Sequence, residues 1–210
     1  MLSVPEAAEP LIVPFSIAFS ARTFQRVVVL ILGAILAWKQ RTVAGVLRVV
    51  GPLARGHWSS FHRVLCRASW SSWRLGKILA ALGLEGIPKA QPVVTPLDDT
   101  AAAHKGKCVY GKGRHRDAVR STHSHVVWLW GHKWVVLAIN VKFPFAARPW
   151  ALPVLIALYR PKELNRAEGR RHKTPIELAR QLVAVLIPAR RDWFPERKFI
   201  LVGDGGFASH

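Results

Sequence analysis

The spacing of apolar residues changes once along the chain, and this change limits the folds open to it. From Thr23 to about Leu84 the apolar positions recur at helical spacing, whereas the second half carries short strand-like runs. The segment Glu85–Pro96, which contains three prolines and a glycine, reads as a linker between the two regions. We therefore predict an α/β chain with a small helical domain over residues 1–90 and a sheet-containing domain over residues 91–210.

The helical region is predicted to form a small bundle after a loosely structured lead-in of about 20 residues. Its four helices are a first one capped by Thr23, then Thr42–Val50, a third beginning near Ser59 or Ser60, and Ser71–Leu82. The apolar run Val27–Trp38 is predicted to be a buried core helix, because its twelve residues fall short of the roughly twenty that span a membrane. Short helices joined by tight turns are typical of helix-turn-helix DNA readers, but any small helical bundle shares the pattern.

The excess of positive charge predicts a polyanionic partner. Thirty-one Lys and Arg face twelve Asp and Glu, which gives a formal net charge of +19. Lys and Arg that neutralise phosphates release condensed counterions, a favourable contribution that does not depend on base sequence. DNA, ribosomal RNA and a membrane surface all fit this charge, and a solubilising surface is the simplest alternative. The charge thus names a class of partner and not a reaction.

The two cysteines predict a reducing environment. Cys66 and Cys108 are too far apart for a metal knuckle and too few for a disulfide framework. The apolar stretch Leu11–Phe19 follows an acidic start and lacks the basic residues that precede the core of a secretory signal. We therefore predict a cytoplasmic protein.

The second half alternates strands with a helix. Its predicted strands are Val93–Leu97, His125–Trp130, Lys133–Val141, Trp150–Tyr159 and Lys198–Gly203. Gly131 and His132 are predicted to form the two-residue turn of a hairpin. Thr174 and Glu177 form a capping box for a helix over Pro175–Leu186, with Pro188 marking its end.

Acidic residues follow the first and the last of these strands. Asp98 and Asp99 come directly after Val93–Leu97, and Asp204 follows Lys198–Gly203. If the two strands are parallel neighbours, the carboxylates meet at one sheet edge, where like charges are costly unless a cation lies between them. Two Mg²⁺ ions held there could activate a nucleophile and stabilise the leaving oxygen of a phosphodiester. A turn or helix cap is the alternative role for each aspartate.

Four motifs make residues 98–210 resemble the DDE superfamily endonuclease domain of bacterial insertion-sequence transposases. They are LDDT at Leu97–Thr100, KGK and YGKGRHRD within Lys105–Asp117, the segment His125–Val141, and LVGDGGFAS at Leu201–Ser209. The helical half is similar to the family's N-terminal region through TFQRVVVLILGAILA and WSSFHRVL. The resemblance implies an incomplete ribonuclease H-like catalytic domain, because the third acid of the family, a glutamate, would come after residue 210.

The same resemblance implies the roles of particular residues and partners. Asp99 matches the first catalytic acid and Asp204 the second, with Asp98 as a further candidate metal ligand. The implied cofactor is Mg²⁺ or Mn²⁺, and the implied partner is DNA, both the terminal inverted repeats of the element and the target. The resemblance further implies cleavage followed by strand transfer, a homodimer in a synaptic complex, no membrane association, and a nucleoid-associated location in a bacterium.

A glycine-rich basic loop lies beside the first acids in the sequence. We predict that it guides DNA towards them, with a solvated charged loop as the alternative. Its cationic members are Lys105, Lys107, Lys112, Arg114, His115, Arg116 and Arg120. A zinc site is disfavoured because His115, His123, His125 and Cys108 lack the tight paired spacing of zinc ligands.

Two other functions stay open at this point. A truncated or frameshifted remnant of a transposase would bind DNA without cleaving it, and a basic structural or RNA-binding protein would have no link to transposition. With two acids only, residues 1–210 alone are expected to have little or no nuclease activity. An incomplete sheet would also expose an edge strand, so poor solubility is expected.

Overall fold

The computed structural model describes residues 4–39, 41–107, 109–193 and 197–207. The chain divides into two compact units, Met1–Ile78 and Leu79–His210. The boundary lies inside helix α5 (Ser72–Glu85), upstream of the boundary near residue 90 that the proline-rich segment predicts. The reason is that the last turns of α5 bury Ala80 and Leu84 in the core of the second unit.

The first unit contains several short helices. They are α1 (Glu9–Ile12), α2 (Ala21–Leu36), α3 (Val43–Val50) and α4 (Trp58–Cys66), with 3₁₀ turns at Glu6–Ala8, Val13–Ala18 and Gly51–Leu53. The predicted cap at Thr23 is wrong, because the Ser20 hydroxyl accepts the Thr23 backbone N–H and α2 begins directly after Ser20. The predicted lead-in without regular structure is also wrong, since residues 6–18 form helical turns.

Helices α2, α3 and α4 pack around a small apolar core formed by Val29, Val50 and Phe61. The prediction of a core helix at Val27–Trp38 is confirmed for its central part, where Val28, Val29 and Gly33 are buried. A Cβ atom at Gly33 would lie 2.4 Å from Val46 Cγ1, so α2 and α3 approach closely at this point. Over the described ranges, the helices are too short or too polar to cross a membrane.

The second unit is built on one mixed sheet. Its strands are β1 (Val93–Ala103), β2 (Gly113–Arg116), β3 (Trp128–Val141), β4 (Trp150–Tyr159) and β5 (Phe199–Gly203). Strand β3 pairs antiparallel with β1 on one side and with β2 and β4 on the other. Strand β5 pairs parallel with β1, so the long strands run in the order β4-β3-β1-β5.

The hairpin predicted at Gly131 and His132 is wrong, because β3 runs straight through both residues. Gly131 lies opposite Ala103 in β1 and opposite Gly113 in β2. A Cβ atom at Gly131 would lie only 1.9 Å from the Ala102 carbonyl oxygen. Glycine is therefore required for the close approach of a neighbouring strand and not for a turn.

Alternation along the strands gives the sheet two different faces. The covered face includes Val93, Thr95 and Leu97 of β1, which are buried, as are Val135 and Leu137 of β3. The last turns of α5 and helix α7 (Pro175–Trp193) pack with the apolar members of this face in one core. We call the opposite side of the sheet the open face, and it carries the alternate residues of the same strands. These are Val94, Pro96, Asp98 and Thr100 of β1 and Trp128, Trp130, His132, Trp134 and Val136 of β3.

The helix that covers the sheet begins as predicted. The Thr174 N–H donates to Glu177 Oε2 at 2.7 Å, and the Glu177 N–H donates to Thr174 Oγ1 at 3.2 Å, which confirms the capping box. Helix α7 continues to Trp193, beyond the predicted stop at Pro188. The polar segment before it contains one short helix, α6 (Lys162–Ala167).

Strand β5 differs from its prediction as a buried strand. Phe199 is half-buried, but Ile200 and the three residues after it are exposed. Within the part of the chain that the structure describes, β5 has one strand neighbour, β1. Its other edge carries no strand there, and this accounts for its exposure.

Candidate active site

The parallel pairing of β1 and β5 brings two acidic positions side by side. The last residues in register are Leu97 in β1 and Gly203 in β5. The next residues along the two strands are Asp98 and Asp204. Neighbouring strands lie about 4.8 Å apart, and residues at the same level of adjacent strands share a face. Asp98 and Asp204 therefore each directly follow one member of the last register pair of β1 and β5, whereas the convergence of Asp99 with Asp204 stays a prediction.

Asp98 and Asp99 lie on opposite faces of the sheet. Asp98 pairs with Val136 on the open face, whereas Asp99 pairs with Val135 on the covered face. The Asp99 carboxylate forms an ion pair with Lys133, with Oδ2 and Nζ 2.7 Å apart. The family resemblance implies that Asp99 is the first acid. It is Asp98, however, that directly follows Leu97, the register partner of Gly203, while Asp99 has Lys133 as an ion-pair partner. Neither acid ends β1, which continues to Ala103.

Local backbone groups orient both aligned carboxylates. Asp98 Oδ1 accepts the Asp99 backbone N–H at 2.7 Å. Asp204 Oδ1 accepts the Gly206 N–H at 3.0 Å, and the Asp204 carbonyl accepts the Phe207 N–H at 3.1 Å. Asp204 thus also begins the 3₁₀ turn Gly205–Phe207, as the alternative role of a turn former predicts. Both side chains remain exposed, so their other oxygens are accessible from solvent.

The carboxylate pair suits a hard divalent cation. Mg²⁺ and Mn²⁺ prefer oxygen ligands, and Mg²⁺ commonly takes one or two carboxylates and completes its shell with water and phosphate oxygens. No group of three His, Cys, Asp or Glu that could hold a metal ion occurs among the described residues. Zinc binding by His115, His123 and His125 therefore gains no support from the described residues. Cys108, the remaining candidate for zinc, lies outside the described residues.

Most cationic residues of the glycine-rich loop are accessible. Arg114 and Arg116 belong to β2, where they pair with Trp130 and Trp128 on the open face. The exposed members of the predicted DNA-binding set are Lys105, Lys107, Arg114, Arg116 and Arg120, and Lys112 is partly exposed. Asp117 Oδ1 accepts the backbone N–H groups of Val119 and Arg120 and so fixes the turn after β2.

His115 is the exception in this loop, and its prediction as a DNA contact is wrong. Strand alternation turns its ring away from Arg114 and Arg116, and the residue is 4% exposed. Its Nε2 atom is buried without a hydrogen-bond partner in the described part of the chain. Burial lowers the pKa of His115, a hydrogen bond to the Gly131 backbone partly opposes this, and the nearby Lys133 and His132 lower it further. His115 is therefore an interior histidine whose surroundings disfavour its charged form.

Comparison with known protein families identifies the family of this chain. A model of the family described as DDE superfamily endonuclease matches residues 14–210. The chain belongs to the DDE superfamily endonucleases. No curated protein and no solved structure matches it. The resemblance inferred from the aspartate motifs is thus confirmed at the level of the family, and by family this DDE endonuclease belongs with nucleic-acid-cleaving enzymes.

Sequence reasoning missed three residues of this DDE endonuclease that the structure makes prominent. Lys133 could not be found as the partner of Asp99, because their diagonal contact depends on strand register. Trp128 and Trp130 did carry a signal, since a spacing of two places both rings on one face of a strand. The predicted strand His125–Trp130 already places both rings on one face, but the sequence does not show that this face is left open.

Proposed function

We propose that this chain is the DNA-cleaving part of a transposase and that Asp98 and Asp204 bind the divalent ions of its active site. The observation that carries the proposal is the register of β1 and β5, in which Leu97 pairs with Gly203. The order β4-β3-β1-β5, with only β1 and β5 parallel, supports the ribonuclease H-like fold that the family resemblance implies. In that fold the first acid lies on the first strand and the second follows the fourth long strand, here β5.

Asp98 is preferred to Asp99 as the first acid for two physical reasons. Asp98 directly follows Leu97 and Asp204 directly follows its partner Gly203, so a cation shared by these two acids fits the strand register, whereas Asp99 lies on the other face of β1. Lys133 also balances the charge of Asp99, which limits its repulsion of the other two aspartates. The ion pair leaves Asp98 and Asp204 as the carboxylates available to a cation.

The exposed position of the pair fits the cleavage of a large substrate. Divalent ions bound there would polarise a phosphate oxygen and lower the pKa of an attacking water. The protein's part is to hold the ions with two carboxylates that backbone hydrogen bonds orient. The same arrangement would serve strand transfer, since a DNA 3′-hydroxyl can replace water as the nucleophile of an in-line displacement.

The charge around β2 supports DNA as the substrate. Arg114 and Arg116 are exposed on the face that carries Asp98, and Lys105 and Lys107 are exposed between β1 and β2. Such cations bind the phosphate backbone of any sequence and give a strong dependence on salt. We assign the terminal repeats of the element and the target DNA as ligands of this surface, in a synaptic complex of two copies.

The test compares how much the adjacent carboxylates Asp98 and Asp99 contribute to the binding of a divalent ion, with Asp204 as the second proposed ligand. Mn²⁺ binding to the chain is measured by titration with electron paramagnetic resonance. Asp98→Asn and Asp204→Asn should each weaken binding by about 10-fold or more, because losing a ligand costs at least as much as losing one of its supporting groups. Asp99→Asn is the matched control, with the same change one residue away on the other face, and should have a much smaller effect.

A larger loss of Mn²⁺ binding in Asp99→Asn than in Asp98→Asn would reverse the assignment. Mg²⁺-dependent nicking of supercoiled DNA is the second readout, and Asp98→Asn should abolish whatever nicking the chain shows. One observation favours a second candidate function, DNA binding without cleavage: the described residues contain no group of three His, Cys, Asp or Glu that could hold a metal ion. Salt-dependent DNA binding with neither Mn²⁺ binding nor nicking would support that alternative.

A further inference from the structure

Two tryptophans at the start of β3 are left accessible on the open face. Trp128 is 49% and Trp130 is 61% exposed. Both lie on the short two-stranded extension in which β3 pairs with β2. Neither the proposed metal site nor the apolar core uses these rings. Large aromatic side chains held in water on a defined strand face are a frequent sign of a binding surface.

The cations of β2 and its preceding loop lie over these rings. The guanidinium of Arg114 is 4.4 Å from the centre of the Trp128 ring, and Lys112 Nζ is 5.9 Å from the centre of the Trp130 ring. These are cation–π distances, so the positive charges and the indoles form one surface. Arg114 already occupies one side of Trp128. The more exposed Trp130 is therefore the ring that is better placed to take a ligand.

An open groove of about 620 Å³ lies beside Trp130. Its lining consists of Lys107, Val109, Lys112, Trp130 and Leu164. One aromatic ring and two aliphatic side chains offer apolar contact, and two lysines supply positive charge. A flat apolar group flanked by negative charges matches this combination, and a nucleobase between two phosphates has that chemistry.

We propose that Trp130 and the groove beside it bind an unpaired nucleobase of single-stranded DNA, with Lys107 and Lys112 contacting the flanking phosphates. Stacking on an aromatic ring tolerates any base, because every base has a π face. A duplex hides these faces inside its stack, so the groove selects single-stranded over double-stranded DNA. The surface is thus a stacking site and not only a patch of positive charge.

The position of Trp130 relates this site to the proposed active site. Trp130 lies six positions before Val136 in β3, and Val136 is the register partner of Asp98. Trp130 and Val136 both lie on the open face. Six residues of a strand span about 20 Å, which is the length of about six nucleotides of one B-form strand. The inference rests on the proposed function in this respect alone: the bound strand is the one that is cleaved at Asp98 and Asp204.

The experiment measures binding of labelled oligonucleotides to the full chain by fluorescence anisotropy, in EDTA. Because no divalent ion is present, failure of the metal-site proposal cannot affect the result. The ligands are an oligothymidine of about 15 nucleotides, a duplex of equal length and the corresponding oligouridine. We expect oligothymidine to bind more tightly than the duplex and at least as tightly as oligouridine.

Substitutions identify the ring. Trp130→Ala should weaken binding of oligothymidine by about 10-fold while changing duplex binding little, and Trp130→Phe should restore most of the affinity. Trp150→Ala is the matched control, since Trp150 is a similarly exposed tryptophan, at the start of β4, with Phe143 and Phe145 as ring partners. Lys112→Ala should lower the salt dependence by about one phosphate contact for both ligands.

Three results would overturn the inference. Equal effects of Trp130→Ala and Trp150→Ala on oligothymidine binding would remove the stacking role of Trp130. Equal losses for oligothymidine and duplex in Trp130→Ala would reduce the surface to a general cationic patch. Tighter binding of oligouridine than of oligothymidine would overturn the assignment to DNA. Circular dichroism melting of each variant shows that the fold is retained.

Discussion

The two faces of the sheet carry different tasks, although the same strands supply both. On the covered face, Val93, Leu97 and Leu137 lie in the core with helices α5 and α7. At alternate positions of the same strands, Asp98 and Trp130 are exposed on the open face. Asp98 belongs to the candidate metal site and Trp130 to the proposed stacking surface. Strand alternation therefore separates residues that hold the fold from exposed residues that we propose contact a substrate. Substitutions on the two faces should affect different properties.

The covered face also holds polar groups, and their partners explain why. Thr95 is fully buried and its hydroxyl donates to the Ile200 carbonyl at 2.9 Å. Asp99 and Lys133 neutralise each other at the end of the sheet. His115 is buried, and this burial lowers its pKa. The hydrogen bond of Thr95 and the ion pair of Asp99 thus offset the cost of placing polar groups on this face, whereas Nε2 of His115 lacks a partner among the described residues.

The largest expected loss of stability comes from a substitution on the covered face. Leu137→Ala should lower the free energy of unfolding by about 2–5 kcal/mol, because it removes a fully buried side chain and leaves a cavity. Ile156→Ala, at the position of β4 that pairs with Val136 on the open face, should cost much less because Ile156 is 48% exposed. Urea unfolding followed by circular dichroism measures both. Similar losses in the two variants would show that the open face is also packed.

The next effect tests the close contact between β1 and β3. Gly131→Ala places a Cβ atom against the Ala102 carbonyl oxygen, so the strands must separate. We expect a loss of about 1–3 kcal/mol in the free energy of unfolding. Gly205→Ala is the control, because a Cβ there would have no atom within 4 Å. An unchanged stability of Gly131→Ala would indicate that β1 does not approach Gly131 this closely.

A smaller effect should appear as a dependence of stability on pH. Because the folded pKa of His115 is lowered, the unfolded chain binds more protons below about pH 6.5. The free energy of unfolding should therefore fall as the pH drops from about 6.5 through the folded pKa, by at most about 1.4 kcal/mol per pH unit for one group.

The variant His115→Phe isolates this contribution. It removes the buried titration and should flatten the pH dependence of the unfolding free energy measured by urea titration. His125→Phe changes an exposed histidine and should leave the slope as it is. Equal slopes for His115→Phe and the unaltered chain would mean that the pKa of His115 does not differ between the folded and unfolded states.

The smallest effect concerns the ion pair of Asp99 and Lys133. Both side chains are partly exposed, so a double-mutant cycle with Asp99→Asn and Lys133→Met should give a coupling of about 0.2–1 kcal/mol. The coupling should decrease at high salt. A coupling that is absent at low salt would mean that Lys133 does not hold Asp99 in solution.

Patterns that depend on local sequence predicted much of this fold. The strand Trp150–Tyr159 has its predicted bounds, and the capping box of α7 forms through Thr174 and Glu177. The change from helical to strand spacing correctly separated two types of structure. These features succeed because their determinants lie within a few residues of one another.

Features that depend on distant residues were not predictable in the same way. Gly131 resembles a turn glycine until β1 is known to lie against it. The alignment of Asp98 with Asp204 depends on a register between strands that are about a hundred residues apart in sequence. A register shifted by one residue would have aligned Asp99 instead, and nothing local to the Asp-Asp pair distinguishes the two.

The most direct test of the central claim is the location of a bound metal ion. Crystals of the chain grown with Mn²⁺ would be examined by anomalous diffraction at a wavelength where manganese scatters strongly. We predict an anomalous peak on the open face, within coordination distance of oxygens of both Asp98 and Asp204. A peak on the covered face beside Asp99, with Lys133 displaced, or one that touches neither Asp98 nor Asp204, would contradict the account.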